Sequence, residues 1–143
     1  MGIRSVSFGG AFVAVWFAAV SVFAADLTVT ITALRSDDGS LRLAVFDNAR
    51  DFPQGQEVQV QTAGAWRDGV TVVFDGLPPG RYAVAVHHDE NDNGRMDSSF
   101  VGLPQEGYAF SNNATSFLGA PPFADAVFEL PEEGRHITIE MDY

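Results

Sequence analysis

Polar and apolar residues alternate with a period of two over most of the chain. Leu27, Val29, Ile31 and Ala33 are interleaved with Thr28, Thr30 and Thr32, the pattern of a strand with one buried face. Asp37–Ser40 reads as a turn. The alternation resumes at Leu41, Leu43 and Val45, briefly at Val58 and Val60, and again at Val70, Val72 and Phe74. Tyr82, Val84 and Val86 continue it, then Ala126, Phe128 and Leu130, and finally Ile137, Ile139 and Met141. No window carries a sustained helical stripe. The expected fold class is therefore all-β, an antiparallel two-sheet sandwich of about seven strands.

Residues 1–24 break this pattern. A short start with Arg4, an apolar run of about 15 residues and a small-residue exit at Val22 and Ala24 have the layout of a secretory signal peptide. The expected mature chain is a single domain over 25–143, periplasmic or secreted, with no membrane span. The run is short for a ~20-residue span, and Gly9 and Gly10 interrupt its beginning. Cysteine is absent, so no disulfide supports the exported domain.

Composition narrows the class of partner. The chain of 143 residues carries 19 acidic against 8 basic side chains, for a net charge of −11, and all the basic ones are arginine. Such a surface lacks the basic patch that nucleic acid requires. Nucleophilic catalysis has little to build on: Ser111 lies in GYAFSNN, without the strand-turn-helix signature of a nucleophile elbow. No glycine-rich phosphate loop occurs, and the Glu132–Glu133 pair sits in a turn. No enzymatic activity is expected.

The candidate chemistry lies in HHDENDNGRMD, residues 87–97. Asp89, Asn91 and Asn93 recur at spacing two, Gly94 follows, and Asp97 comes three residues later. Calcium requires six to eight oxygen ligands, and a tight loop provides them by alternating side chains around a turning glycine. Arg95 would contribute its carbonyl, and Asp97 would bind directly or through water. The motif departs from the helix-loop-helix version where Phe100 stands in place of a bidentate Glu, with Glu106 the nearest substitute. The alternative is an Asn-Gly hairpin turn with solvated acids around it. His87 and His88, as neighbours in a strand, point to opposite faces and cannot share one transition-metal ion.

Residues 98–123 form a long irregular stretch with Phe100, Tyr108, Phe110, Phe117 and Phe123. Two roles are open: a ligand surface formed by Glu106, Tyr108 and Phe110, or a cap in which the rings close the end of the fold. Asn113-Ala114-Thr115 also matches a glycosylation acceptor.

The string LPPGRY, residues 77–82, resembles the corner of transthyretin-like and carboxypeptidase-regulatory-like sandwiches, and so implies an immunoglobulin-like arrangement. Three motifs in order, LPPGRYAVAVHHDENDNGRMD, GLPQEGYAFSNNA and GAPPFADAVFEL, followed by the closing TIEMDY strand, resemble the exported bacterial proteins of domain of unknown function 2141. That resemblance implies one small exported sandwich domain, with the family's acidic loop on Asp89, Asn91, Asn93 and Gly94. It implies no activity. The functional expectation is an exported binding module of unknown ligand with one calcium ion in the 89–97 loop. The alternative is a structural or protein-interaction component of the cell envelope.

Overall fold

The computed structural model describes residues 23–143. The expected leader, residues 1–24, lies outside them but for its last two residues. Eight strands form: β1 (Ala25–Thr32), β2 (Ser40–Phe46), β3 (Gln59–Gly64), β4 (Val70–Leu77), β5 (Gly80–Asp89), β6 (Gly107–Phe110), β7 (Phe128–Leu130) and β8 (Arg135–Glu140). One helical turn, α1 (Phe123–Ala126), precedes β7. The fold is mostly β, in two sheets.

The first sheet has the order β4-β1-β8 and the second β3-β2-β5-β6, with β7 also on β5. β5 is long enough to share one edge between two partners: Gly80–Tyr82 pair with β7, and Ala85–His88 pair with β6. The expectation of wholly antiparallel pairing is overturned at β8, which runs parallel to β1 from Leu27↔Arg135 to Thr32↔Glu140. Strand direction is a property of long-range connection, and alternation within a strand carries no record of it. The strand count is corrected too. β6 lies inside the stretch expected to be irregular, and Ala126 belongs to α1 rather than to a strand.

Most of the alternating apolar residues meet as expected; Ala33, expected on the same face as Ile31, lies beyond the end of β1, exposed and at φ +59°, where the chain turns out of the strand. Leu27, Val29 and Ile31 of β1 are fully buried with Phe74, Leu43, Val84 and Ile139, in one cluster drawn from both sheets. Burying each such side chain contributes about 1.5–3 kcal/mol. A second, smaller cluster covers the other face of β2 and β5, where Ala44, Phe46 and Ala83 lie under Phe52, Phe110 and Ala126. Phe52 meets Phe46, Phe110 and Phe123 edge-on at centroid distances of 5.6 to 5.8 Å. β3 is mostly exposed, and the expected inward pair Val58 and Val60 is 39% and 40% exposed.

Two contacts fix the start of the acidic loop relative to the sheets. Gly39, in the turn before β2, has φ +67°, and a Cβ there would lie 1.9 Å from the carbonyl oxygen of Asp89, so only glycine lets the turn pass beneath the loop. On the other side, Tyr108 and Asp142 exchange backbone hydrogen bonds of 3.0 Å, which tie the chain beyond β8 to the edge strand β6 of the second sheet.

Candidate functional site

β5 ends at Asp89, and the chain turns through 90–97 before Glu106 and β6 bring it back. Asp89 is 6% exposed, and its two carboxylate oxygens accept the backbone N–H groups of Asn93 (3.0 Å) and Gly94 (2.7 Å). Asn91 Oδ1 accepts the N–H of Asn93, and Asn93 Oδ1 accepts that of Arg95, both at 3.0 Å. The spacing of two thus produces successive turns in which each side-chain oxygen holds a later backbone N–H. Gly94, at φ +79°, supplies the left-handed residue that reverses the chain. The amide nitrogens of Asn91 and Asn93 both donate to Asp97 Oδ2, at 2.5 and 2.8 Å. Those amides, with Arg95 as a further favourable charge, hold the Asp97 carboxyl below its ordinary range.

All five expected metal-loop residues therefore share one turn, with Asp89, Asn91, Asn93 and Asp97 bonded to it or to one another. The side-chain oxygens of Asp89, Asn91 and Asn93, and Oδ2 of Asp97, are engaged with protein hydrogen-bond partners. Among the described residues, no three His, Asp or Glu side chains gather as a metal-binding cluster. An incoming cation would compete with the two Asn amide nitrogens for Asp97.

Glu106 is buried, at 4% exposure, and joins both ends of this loop to β5. Oε1 accepts the N–H of Glu90 at 3.0 Å, and Oε2 accepts the N–H of Asp97 at 3.1 Å. The same Oε2 lies 2.9 Å from Nε2 of His87. A carboxylate accepts only, so His87 donates from Nε2. His87 and His88 do face opposite ways. His88 is fully buried on the inner side, 2.7 Å from the hydroxyl of Tyr143 and 2.8 Å from the carbonyl of Asp38. Next along the chain, Glu90 takes a forked ion pair from Arg35 and a 2.8 Å bond from Ser36 Oγ. Arg35 also lies over the Tyr143 ring, 4.5 Å from its centroid. The Arg35 hydrogen bond is the main cause holding the Glu90 carboxyl below its ordinary range, against the opposing effect of burial.

Tyr108 and Phe110 lie on the outer side of β6, opposite His87 and Ala85 of β5. Tyr108 is half-buried; Phe110 is 8% exposed and packs against Phe52. The two rings border two hollows. One, of about 180 Å³, is also lined by Arg42, Ala44, His87 and Met96; the other, of about 240 Å³, by Asn113, Ser116, Glu140 and Asp142. Glu106 stands apart from Tyr108 and Phe110 in role, since its carboxylate is occupied by the loop. Phe100 and Phe117 are fully exposed, whereas Phe123 is half-buried against the second cluster. Sequence reasoning missed the Tyr143–His88–Arg35–Glu90 cluster, whose members are scattered over more than 100 positions.

These features define a class: a mostly β chain of two sheets whose central strand runs into an acidic Asp/Asn–Gly turn clamped by a buried glutamate. The chain belongs to the family of uncharacterized proteins conserved in bacteria called DUF2141, whose sequence model matches residues 29–138. No curated protein and no solved structure matches it.

Proposed function

We propose that the protein is an exported β-sandwich binding module of the immunoglobulin-like or transthyretin-like kind, stabilised by one calcium ion in the 89–97 loop. The leader-like layout of residues 1–24 supports export to the periplasm or medium. The sandwich reading is supported by the single apolar cluster drawn from both sheets. It is also supported by the Tyr82 hydroxyl, which donates to the Pro78 carbonyl at 2.7 Å in the manner of a tyrosine corner.

The observation that carries the calcium reading is the chain of turns at Asp89, Asn91 and Asn93 around Gly94. It orders a loop of the D-x-N-x-N-G type, the residue pattern of calcium-binding loops, around Gly94. On binding, the Asn91 and Asn93 amides would turn to present oxygen beside Asp97, and the Arg95 carbonyl would join them. The hollows on either side of Tyr108 are the places for a ligand.

The test is a thermal melt after chelation, with and without 1 mM calcium, and with magnesium as control. A native-state ligand at 100 times its dissociation constant stabilises by about 2.7 kcal/mol, so a calcium-specific rise of several degrees is expected. An unchanged midpoint would leave the loop as a plain hydrogen-bonded turn. A second reading, a structural or interaction component of the envelope without a small-molecule ligand, is favoured by β3. That strand ends its sheet with Val60 on its surface and Val58 just before it, and sheet edges of this kind recruit other chains. Size-exclusion chromatography over a concentration series separates the two, since edge pairing gives self-association and a ligand module stays monomeric.

A further inference from the structure

Among the described residues, three strongly exposed apolar side chains share the loop between the acidic turn and β6. Phe100 is 106% exposed, Val101 75% and Leu103 62%. From Ser98 to Gln105 no side chain is charged, in a chain with a net charge of −11. The backbone is nonetheless well organised. Ser98 and Pro104 form an isolated bridge, and Ser99 N–H donates to the Leu103 carbonyl at 2.7 Å. Gly102 N–H donates to the Ser99 carbonyl at 2.8 Å, and Leu103 N–H to Ser99 Oγ at 3.1 Å. Gln105 N–H donates to the Asp97 carbonyl at 2.8 Å, fastening the base of the tip to the acidic loop.

We propose that this tip is a lipid-contacting finger that seats the domain on a zwitterionic bilayer surface. Three properties choose that occupant. The apolar side chains stand out in solvent and line neither hollow, so they suit a deformable apolar phase rather than the receipt of a partner's side chain. Entry into lipid requires backbone polar groups to be satisfied internally. Here the N–H groups of Ser99, Gly102, Leu103 and Gln105 are paired, leaving that of Ser98 at the base for water and those of Phe100 and Val101 at the apex for headgroup oxygens. Charge selects the surface: an uncharged tip on an acidic body fits a neutral headgroup layer and is repelled by an anionic one. A second loop carries an exposed apolar pair, Phe117 and Leu118. Insertion is interfacial, a few side chains deep, and weak and reversible in consequence.

The absence of cysteine allows a direct test in the exported protein. Val101→Cys, labelled with an environment-sensitive fluorophore, is titrated with phosphatidylcholine vesicles, and an emission rise of about twofold with a blue shift is expected on insertion. In parallel, the parent and a Phe100→Ser/Val101→Ser/Leu103→Ser variant are floated with the same vesicles. The variant is expected to lose about tenfold in the bound fraction at an unchanged melting temperature, because the removed side chains are solvent-exposed. Replacing a third of the lipid with phosphatidylglycerol at low salt should weaken binding. Should the triple variant fold poorly, Phe100→Ser alone serves, and the label reads insertion independently. The proposal is overturned if the label stays in a watery environment, if variant and parent float equally, or if anionic lipid strengthens binding. Sedimentation showing a parent dimer that the variant loses would also overturn it, in favour of a second copy of the chain.

Discussion

The hydroxyl of Tyr143 lies 2.7 Å from Nδ1 of the fully buried His88 and is the polar partner of that ring nitrogen. The Asp38 carbonyl, 2.8 Å from Nε2, can only accept, so Nε2 donates, and in the neutral imidazole Nδ1 accepts. Tyr143 therefore donates to His88, while its oxygen takes the backbone N–H of Arg35 at 3.2 Å. Both ring nitrogens are satisfied in a place that water does not reach.

Tyr143→Phe keeps the ring over which Arg35 lies and removes the hydroxyl, both the donor to His88 and the acceptor of the Arg35 N–H. It leaves a buried nitrogen unsatisfied, which costs about 1–3 kcal/mol. The expected result is a melting temperature lower by several degrees, with a matching fall in the urea midpoint at an unchanged slope. An unaltered midpoint would mean that His88 does not depend on this bond.

The ion pair of Arg35 and Glu90 gives the fold an acid-sensitive component. Arg35 chiefly, with help from the Ser36 hydroxyl, holds the Glu90 carboxyl below its ordinary value of 4.5. A carboxylate whose pKa is depressed by folding contributes stability that is present above the unfolded value and lost as pH falls through the folded one. The loss from this group therefore begins near 4.5 and deepens below it. Arg35→Met retains much of the stem and removes the charge. Melting curves from pH 7 to pH 3 are expected to show the variant below the parent at neutral pH, with the two converging in acid. Salt should narrow the gap at neutral pH, because the Arg35 side chain is 46% exposed. Parallel curves throughout would show that the pair carries none of the pH dependence.

How much of this was legible in the chain follows from the range of each interaction. The alternation at Leu27, Val29 and Ile31 reports burial of one strand face, a local property, and all three are fully buried. The opposite orientation of His87 and His88 is likewise a consequence of strand geometry alone. The turns at Asp89, Asn91 and Asn93 follow from residue type and spacing within six positions. Parallel pairing of β1 with β8 joins residues more than 100 apart, and the exchange of hydrogen bonds between Tyr108 and Asp142 is also long-range. No local pattern encodes either. β6 was hidden for a different reason: Gly107–Phe110 is too short to show a period, and Gly107 is there because a Cβ would come within 2.3 Å of the Tyr143 ring. Phe52, which covers the outer face of β2, lies in a segment without periodicity, so the burial of Ala44 and Phe46 on the same side was unannounced. At the site, proximity marked Glu106 as important, but its partners could come only from the folded chain.

Those partners yield the last prediction. The Glu106 carboxylate receives three donors: the N–H of Glu90 on one oxygen, and the N–H of Asp97 with Nε2 of His87 on the other. Glu106→Gln preserves shape but turns one acceptor into a donor. If the new amide nitrogen faces Glu90, that backbone N–H is left without a partner. If it faces the other side, His87 can change tautomer and accept, but the Asp97 N–H is still orphaned. Either arrangement costs about 1–3 kcal/mol, and the damage falls on the two ends of the 90–97 loop. The variant is expected to melt several degrees lower, and the Glu90 and Asp97 amides should exchange hydrogen faster than in the parent while those of β1 are less affected. A calcium-dependent rise in melting temperature, where the parent has one, should shrink with the loss of loop order. If Glu106 acted chiefly as a ligand contact, the Gln variant would keep the parent's stability and loop protection, and the clamp described here would be wrong.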